Sequence, residues 1–175
     1  MWKVAGIVVV LLLAGVLIFA ATKPGVFKVE RKTAIKAPPE KVFALINDFK
    51  AWGVWSPWET KDPAMKRSFG KLTAGKGATY AWEGNKAVGQ GTMEMTRSTP
   101  SERILIDLNF IKPFVTRNIV EFTLEAKGDI TTVNWSMVGP ANYLNKLMSI
   151  FVSMDKMIGP DFEAGLAKLK AAAEK

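Results

Sequence analysis

Residues 102–138 read ERILIDLNFIKPFVTRNIVEFTLEAKGDITTVNWSMV. Apolar and polar side chains alternate along nearly all of this stretch. Ile104, Ile106, Leu108 and Phe110 fall on one face, followed by Val120, Phe122 and Leu124, and then by Val133, Trp135 and Met137. Glu121, Thr123 and Glu125 fall on the opposite face. Successive strand residues point to opposite sides, so a period of two marks strands with one buried face and one wet face. Lys112-Pro113 and Gly128-Asp129 interrupt the pattern where turns are needed. Strands joined by such short breaks pair antiparallel. The buried face then needs a cover.

The same pattern extends upstream. Ala78, Tyr80 and Trp82 share a face within residues 78–83, and Glu83-Gly84-Asn85-Lys86 forms a hairpin turn. Residues 88–98 alternate Gly89, Gly91, Met93 and Met95 against Gln90, Thr92, Glu94 and Thr96. Residues 65–69 form a shorter run, and 26–37 form a first strand carrying Phe27, Val29 and Ile35. Pro38 and Pro39 end that strand. Pro39 suits the first turn of a helix, with Glu40 at the positive end of its dipole. Val42, Phe43, Leu45 and Ile46 give helical spacing up to about Asn47. Next comes FKAWGVWSPW, residues 49–58, made short and irregular by Gly53 and Pro57, with ETKDP leading out as a loop.

Downstream of Gly139-Pro140 the period changes to 3.6. Leu144, Leu147, Met148, Phe151, Met154, Ile158, Phe162, Leu166 and Leu169 make one apolar stripe over about eight turns. Pro160 removes a backbone hydrogen bond and crowds the carbonyl of Lys156, which predicts a kink or break near Gly159. No other element after residue 23 is long enough to cover the sheet. The expected class is α+β, one domain over residues 23–175, with a curved antiparallel sheet wrapped around a long C-terminal helix.

This order resembles the START-like helix-grip superfamily (SRPBCC), in its polyketide cyclase/dehydrase and lipid-transport branch. The residues carrying the resemblance are IKAPPEKVFALINDFKAWGVWSPWE at 35–59, YAWEGN at 80–85 and MDKMIGPDFEAGLAKLK at 154–170. The aromatic segment and the last helix look particular to a membrane-anchored bacterial subgroup. The resemblance implies a cavity between sheet and helix that often holds an apolar ligand. The superfamily includes carriers, receptors, cyclases and hydrolases, so the fold leaves the function open. It implies no fixed catalytic set for these positions.

Residues 4–21, Val4 to Ala21, read VAGIVVVLLLAGVLIFAA, without charge or proline and bounded by Lys3 and Lys23. As a helix they extend about 27 Å, close to the hydrocarbon thickness of a bilayer. There are two rivals: a cleaved signal peptide, whose apolar core is shorter and ends at a small-x-small site that is poorly matched here, and a buried core helix, which rarely carries eighteen unbroken apolar residues at an N-terminus. The expectation is a single-pass anchor over residues 1–22. Lys23, Lys28, Arg31, Lys32 and Lys36 lie just beyond it and tilt the domain towards the cytoplasmic face.

Composition removes several chemistries. The chain has no cysteine and no histidine. Thiolate nucleophiles, Ser-His-Asp triads and nearly all zinc sites are therefore excluded. No cofactor or metal is expected. The net charge of +8 comes from scattered lysines with no cluster of five or more, so it points to an anionic membrane surface rather than nucleic acid.

Twelve large side chains are candidates for a deformable apolar pocket: Trp52, Trp55, Trp58, Trp82, Met93, Met95, Phe110, Trp135, Met137, Met148, Phe151 and Met154. Each could equally be plain core. Among the acids, Asp155 stands within about 40° of Phe151 on the helical wheel, inside the apolar stripe. It is either a functional acid or one half of an ion pair with a nearby Lys or Arg. Glu83, beside a turn, is the other weak candidate for proton transfer. Three functions follow. The first is a membrane-anchored carrier for an apolar small molecule or lipid. The second is a cyclase/dehydrase-type enzyme acting on an aromatic or polyketide substrate. The third is an interaction module without a cavity.

Overall fold

A computed structural model describes residues 2–175, with the side chains of Lys3, Val4, Ala5, Val9 and Leu144 outside the described part. Seven strands form one antiparallel sheet: β1 (Val26–Ile35), β2 (Lys66–Phe69), β3 (Thr79–Glu83), β4 (Gln90–Thr99), β5 (Arg103–Lys112), β6 (Thr116–Lys127) and β7 (Ile130–Pro140). Their order is β1-β7-β6-β5-β4-β3-β2. The last six strands run as a meander, and β1 closes against β7 with Val29 opposite Met137 and Thr33 opposite Val133. In β5–β7 the register sets Ile106 opposite Val120, Val120 opposite Met137 and Phe122 opposite Trp135. All five side chains are buried, so the apolar alternation fixes the pairing. The β4–β5 register shifts at Gln90/Gly91 and again at Met95/Arg97. Such irregularities bend and twist a sheet locally.

The inner face is covered by α2 (Pro39–Asn47), a 3₁₀ turn (Phe49–Ala51), α3 (Trp52–Trp55), α4 (Trp58–Lys61) and α6 (Met154–Ala173). Pro39 opens α2, which buries Val42, Phe43 and Ile46. The Asp48 side chain accepts from the Lys50 N–H at 2.9 Å and turns the chain into the tryptophan segment. On α6, Phe162, Leu166 and Leu169 face the core. A Cβ on Gly165 would stand 2.8 Å from Trp135 Cζ3 and 3.0 Å from Pro57 Cδ, so glycine permits this close approach of helix to sheet.

The C-terminal stripe is not one helix. It divides into α5 (Tyr143–Met148) and α6, with 149–153 between them. The side chain of Ser153 accepts from the Lys156 N–H at 3.3 Å and starts a new helix. Pro160, expected to kink or break the helix near Gly159, lies inside α6 and does not break it, since the helix continues to Ala173. Burial of Phe162, Leu166 and Leu169 carries the helix past the missing hydrogen bond. Glu59 and Lys61, expected in a loop, belong to α4.

The N-terminal helix is present as α1 (Trp2–Thr22). Its end meets α5, where the Tyr143 hydroxyl donates to Leu17 O at 2.9 Å. Among the described residues, no helix is long and apolar enough to cross a membrane. The expected transmembrane span is therefore not supported. The side chains of Val4, Ala5 and Val9, within the expected span, lie outside the described residues.

Candidate ligand-binding cavity

A cavity of about 350 Å³ lies between the inner sheet face, the tryptophan segment and α6. That volume is within the range of small-molecule sites. Strand alternation supplies one wall, with Met93, Leu108, Val120 and Met137. Trp52 and Trp58 come from α3 and α4, and Ile158 and Phe162 from α6.

Trp135 anchors this arrangement. Its ring stacks on Phe162 at 4.0 Å and on Phe122 at 5.0 Å, while Trp55 and Trp58 meet it edge-on at 5.6 and 5.7 Å. Aromatic pairs of this kind each add about 0.5–1.5 kcal/mol beyond burial. Backbone carbonyls fix other indoles: Trp52 Nε1 donates to Ile46 O, Trp55 Nε1 to Leu45 O and Trp82 Nε1 to Val88 O, all within 2.9 Å. Among the described residues, Trp135 Nε1 is buried without a hydrogen-bond partner.

Two polar groupings touch the cavity. Glu59 accepts from Arg67 Nε at 2.7 Å and from the Tyr80 hydroxyl at 3.3 Å. Burial raises the Tyr80 pKa, and the nearby Glu59 carboxylate raises it further, so the phenol stays protonated. The Glu59 carboxylate in turn raises the pKa of the Arg67 guanidinium. The second grouping is the pair Lys61–Asp161 at 2.6 Å, which ties α4 to α6.

Of the twelve pocket candidates, seven stand on the wall: Trp52, Trp58, Trp82, Met93, Phe110, Trp135 and Met137. Trp55 and Met95 are fully buried in the core and do not line the cavity. Met154 packs partly buried against the core. Met148 and Phe151 are exposed, because the chain leaves the helical line between α5 and α6.

Asp155 is held in an ion pair. Arg31 Nη1 donates to its Oδ1 at 2.7 Å and Nη2 to its Oδ2 at 3.0 Å, while Arg31 Nε donates to Glu163 at 2.6 Å. Arg31 sits on the inward side of β1, where α6 crosses, and its one positive charge serves both carboxylates. The hydrogen bonds from Arg31 hold the Asp155 carboxyl below its ordinary pKa. Neither Asp155 nor Glu83 lines the cavity. Glu83 is exposed at the end of β3, opposite Gln90.

Sequence reasoning missed Glu59, Lys61 and Asp161 as wall residues. Only a helical reading of residues 58–61 would have turned the first two towards the cavity. Among the described residues, no group of three or more acidic side chains is placed to hold a metal ion.

Known proteins place this geometry in context. The structure is similar to that of protein CV1439 from Chromobacterium violaceum, with a TM-score of 0.61 and 17% identity, over 87% of this chain and 99% of that one. It is also similar to the hypothetical protein jhp0584 from Helicobacter pylori, with a TM-score of 0.64 and 10% identity, over 84% and 88% of the two chains. The Aha1 dimer from Colwellia psychrerythraea gives 0.56 and 19%, over 85% and 96%. At these identities the likeness is one of fold alone. No curated protein matches the chain. A family model described as "Polyketide cyclase / dehydrase and lipid transport" matches residues 26–174. The match leaves α1 outside and does not support a membrane-anchored subgroup. From β1 to the end of α6, the chain belongs to the polyketide cyclase/dehydrase and lipid transport family.

Proposed function

We propose that the domain binds and carries an apolar small molecule or lipid in the cavity beneath α6. The observation that carries this reading is the cavity of about 350 Å³, walled by tryptophan, methionine and aliphatic side chains. Burying apolar ligand surface there contributes roughly 25 cal/mol per Å². Methionines such as Met93 and Met137 adapt to ligands of irregular shape. The carrier is favoured over the cyclase/dehydrase-type enzyme by one arrangement. Asp155 is committed to Arg31 and Glu83 stands outside, so neither is placed to move protons on a bound substrate.

Membrane attachment through α1 is part of the proposal. Its support is the exposure of Leu11, Leu12, Leu13, Ile18 and Phe19, an apolar surface that suits lipid. The lysines beyond α1 favour the cytoplasmic face. Resistance to carbonate extraction, and protection from external protease in spheroplasts, are the expected results.

Titrating the full chain with a long-chain apolar probe should quench tryptophan fluorescence saturably. Val120→Trp, which fills the cavity, should abolish the quenching. Non-saturable quenching, equal in both proteins, overturns the carrier.

A further inference from the structure

We propose that the cavity selects ligands whose polar end is an uncharged hydroxyl, with the Glu59 carboxylate as its hydrogen-bond acceptor. This rests on the carrier reading and narrows it to a ligand class: long-chain or polycyclic alcohols and phenols rather than free fatty acids.

The basis is how the charges on the wall are already committed. Lys61 Nζ is bound to Asp161 at 2.6 Å, and that pair is neutral as a unit. Glu59 Oε2 receives both Arg67 Nε at 2.7 Å and Arg67 Nη2 at 2.6 Å, so this pair is neutral too. Arg67 itself is not a wall residue. Among the described wall residues, no cation is left to pair with a ligand carboxylate. Placing an unpaired charge in an apolar cavity is strongly unfavourable. A ligand ammonium meets the same obstacle, since both wall carboxylates already have cations.

The other Glu59 oxygen is under-used. Oε1 receives the Tyr80 hydroxyl at 3.3 Å, longer than the 2.5–3.0 Å of a good O–H···O bond. An ionised carboxylate offers about four acceptor positions. The Glu59 side chain is mostly buried, so bulk water does little to fill them. A ligand hydroxyl at Oε1 forms a charge-assisted hydrogen bond without bringing a charge into the cavity. Tyr80, kept protonated by burial, goes on donating to Glu59 Oε1, and the carboxylate keeps acceptor positions for the ligand proton beside it. The remaining volume takes roughly a dozen chain atoms at about 30 Å³ per water-sized group.

The test uses the full chain in nanodiscs at pH 8, with empty nanodiscs as the blank for partitioning. Tryptophan fluorescence is followed on titration with 1-decanol, decanoate and decylammonium. Decanol is expected to bind at least tenfold more tightly than either ion. Glu59→Gln frees Arg67, and the decanol-to-decanoate ratio should then collapse to within about threefold. Tyr80→Phe removes the competing donor at Oε1 and leaves the carboxylate in place, so the decanol preference should rise; a preference lost in this variant overturns Oε1 as the acceptor, whether or not Glu59→Gln folds. Decanoate binding as tightly as decanol to the unaltered chain overturns the hydroxyl assignment while the carrier stands. An unchanged ratio in folded Glu59→Gln overturns the role of Glu59. Absence of saturable binding by all three overturns the carrier reading and this inference with it.

Discussion

Gly91→Ala sets one methyl group against the cavity wall. A Cβ at Gly91 would stand 2.3 Å from Trp82 Cη2 and 2.5 Å from Asn109 O. The Asn109 carbonyl belongs to β5, whose ladder with β4 fixes its position. The Trp82 indole is held by its Nε1 bond to Val88 O at 2.9 Å and by Phe110, edge-on at 5.6 Å. Relief therefore requires Trp82 to swing into the cavity or β4 and β5 to separate. Overpacking of this kind costs about 1–3 kcal/mol, and replacing glycine returns about 0.4–1 kcal/mol from the unfolded state. The clash wins, with a net loss of about 1.5 kcal/mol. For a chain of this size that is a fall in Tm of roughly 3–6 °C. Near-ultraviolet circular dichroism during heating measures it. Decanol affinity should fall in the same variant, because the displaced indole occupies ligand space. A Gly91→Ala protein as stable as the unaltered chain would refute a wall held rigid at Trp82.

Three further outcomes are expected. The Asp155 carboxyl has a lowered pKa in the native state, so the stability it contributes is full above about pH 4 and is lost as pH falls through that lowered value. Asp155→Asn should flatten the fall in urea midpoint between pH 6 and pH 3, and an equal fall in both proteins contradicts the Arg31 pairing. Buried Asp62 accepts from the N–H groups of Asn85 at 2.6 Å and Ala64 at 3.1 Å. Asp62→Ala should lose about 1–3 kcal/mol in urea unfolding, with Asp62→Asn closer to the unaltered chain. Lys61→Ala removes the tie between α4 and α6, changes stability by under ~1 kcal/mol and should speed decanol dissociation several-fold in stopped flow. An unchanged rate contradicts exit of the ligand between α4 and α6.

The strands were legible because burial imposes a strict period of two. Ile104, Ile106 and Leu108, and likewise Val133, Trp135 and Met137, all face inward as their alternation requires. The C-terminal element was harder to read. Met148 and Phe151 sit at helical spacing with Phe162, but periodicity carries no information about the Ser153 cap that restarts the helix. Arg31 shares the parity of Val29 and Ile35 on β1, and Asp155 falls inside the apolar stripe, so each charge alone lacks a reason for its place. Their meeting is a contact across more than a hundred residues, and no local pattern encodes it. The apolar wall was visible as an excess of tryptophan and methionine. Its polar part was hidden because Glu59 and Lys61 lie in a single helical turn, too short to show a period.

Native mass spectrometry of gently extracted full-length protein tests the carrier most directly. The expected spectrum shows a fraction of the protein carrying one small apolar molecule of fixed mass, displaced by added decanol and absent from Val120→Trp. A spectrum of bare polypeptide alone, with no uptake of added decanol, contradicts the central claim.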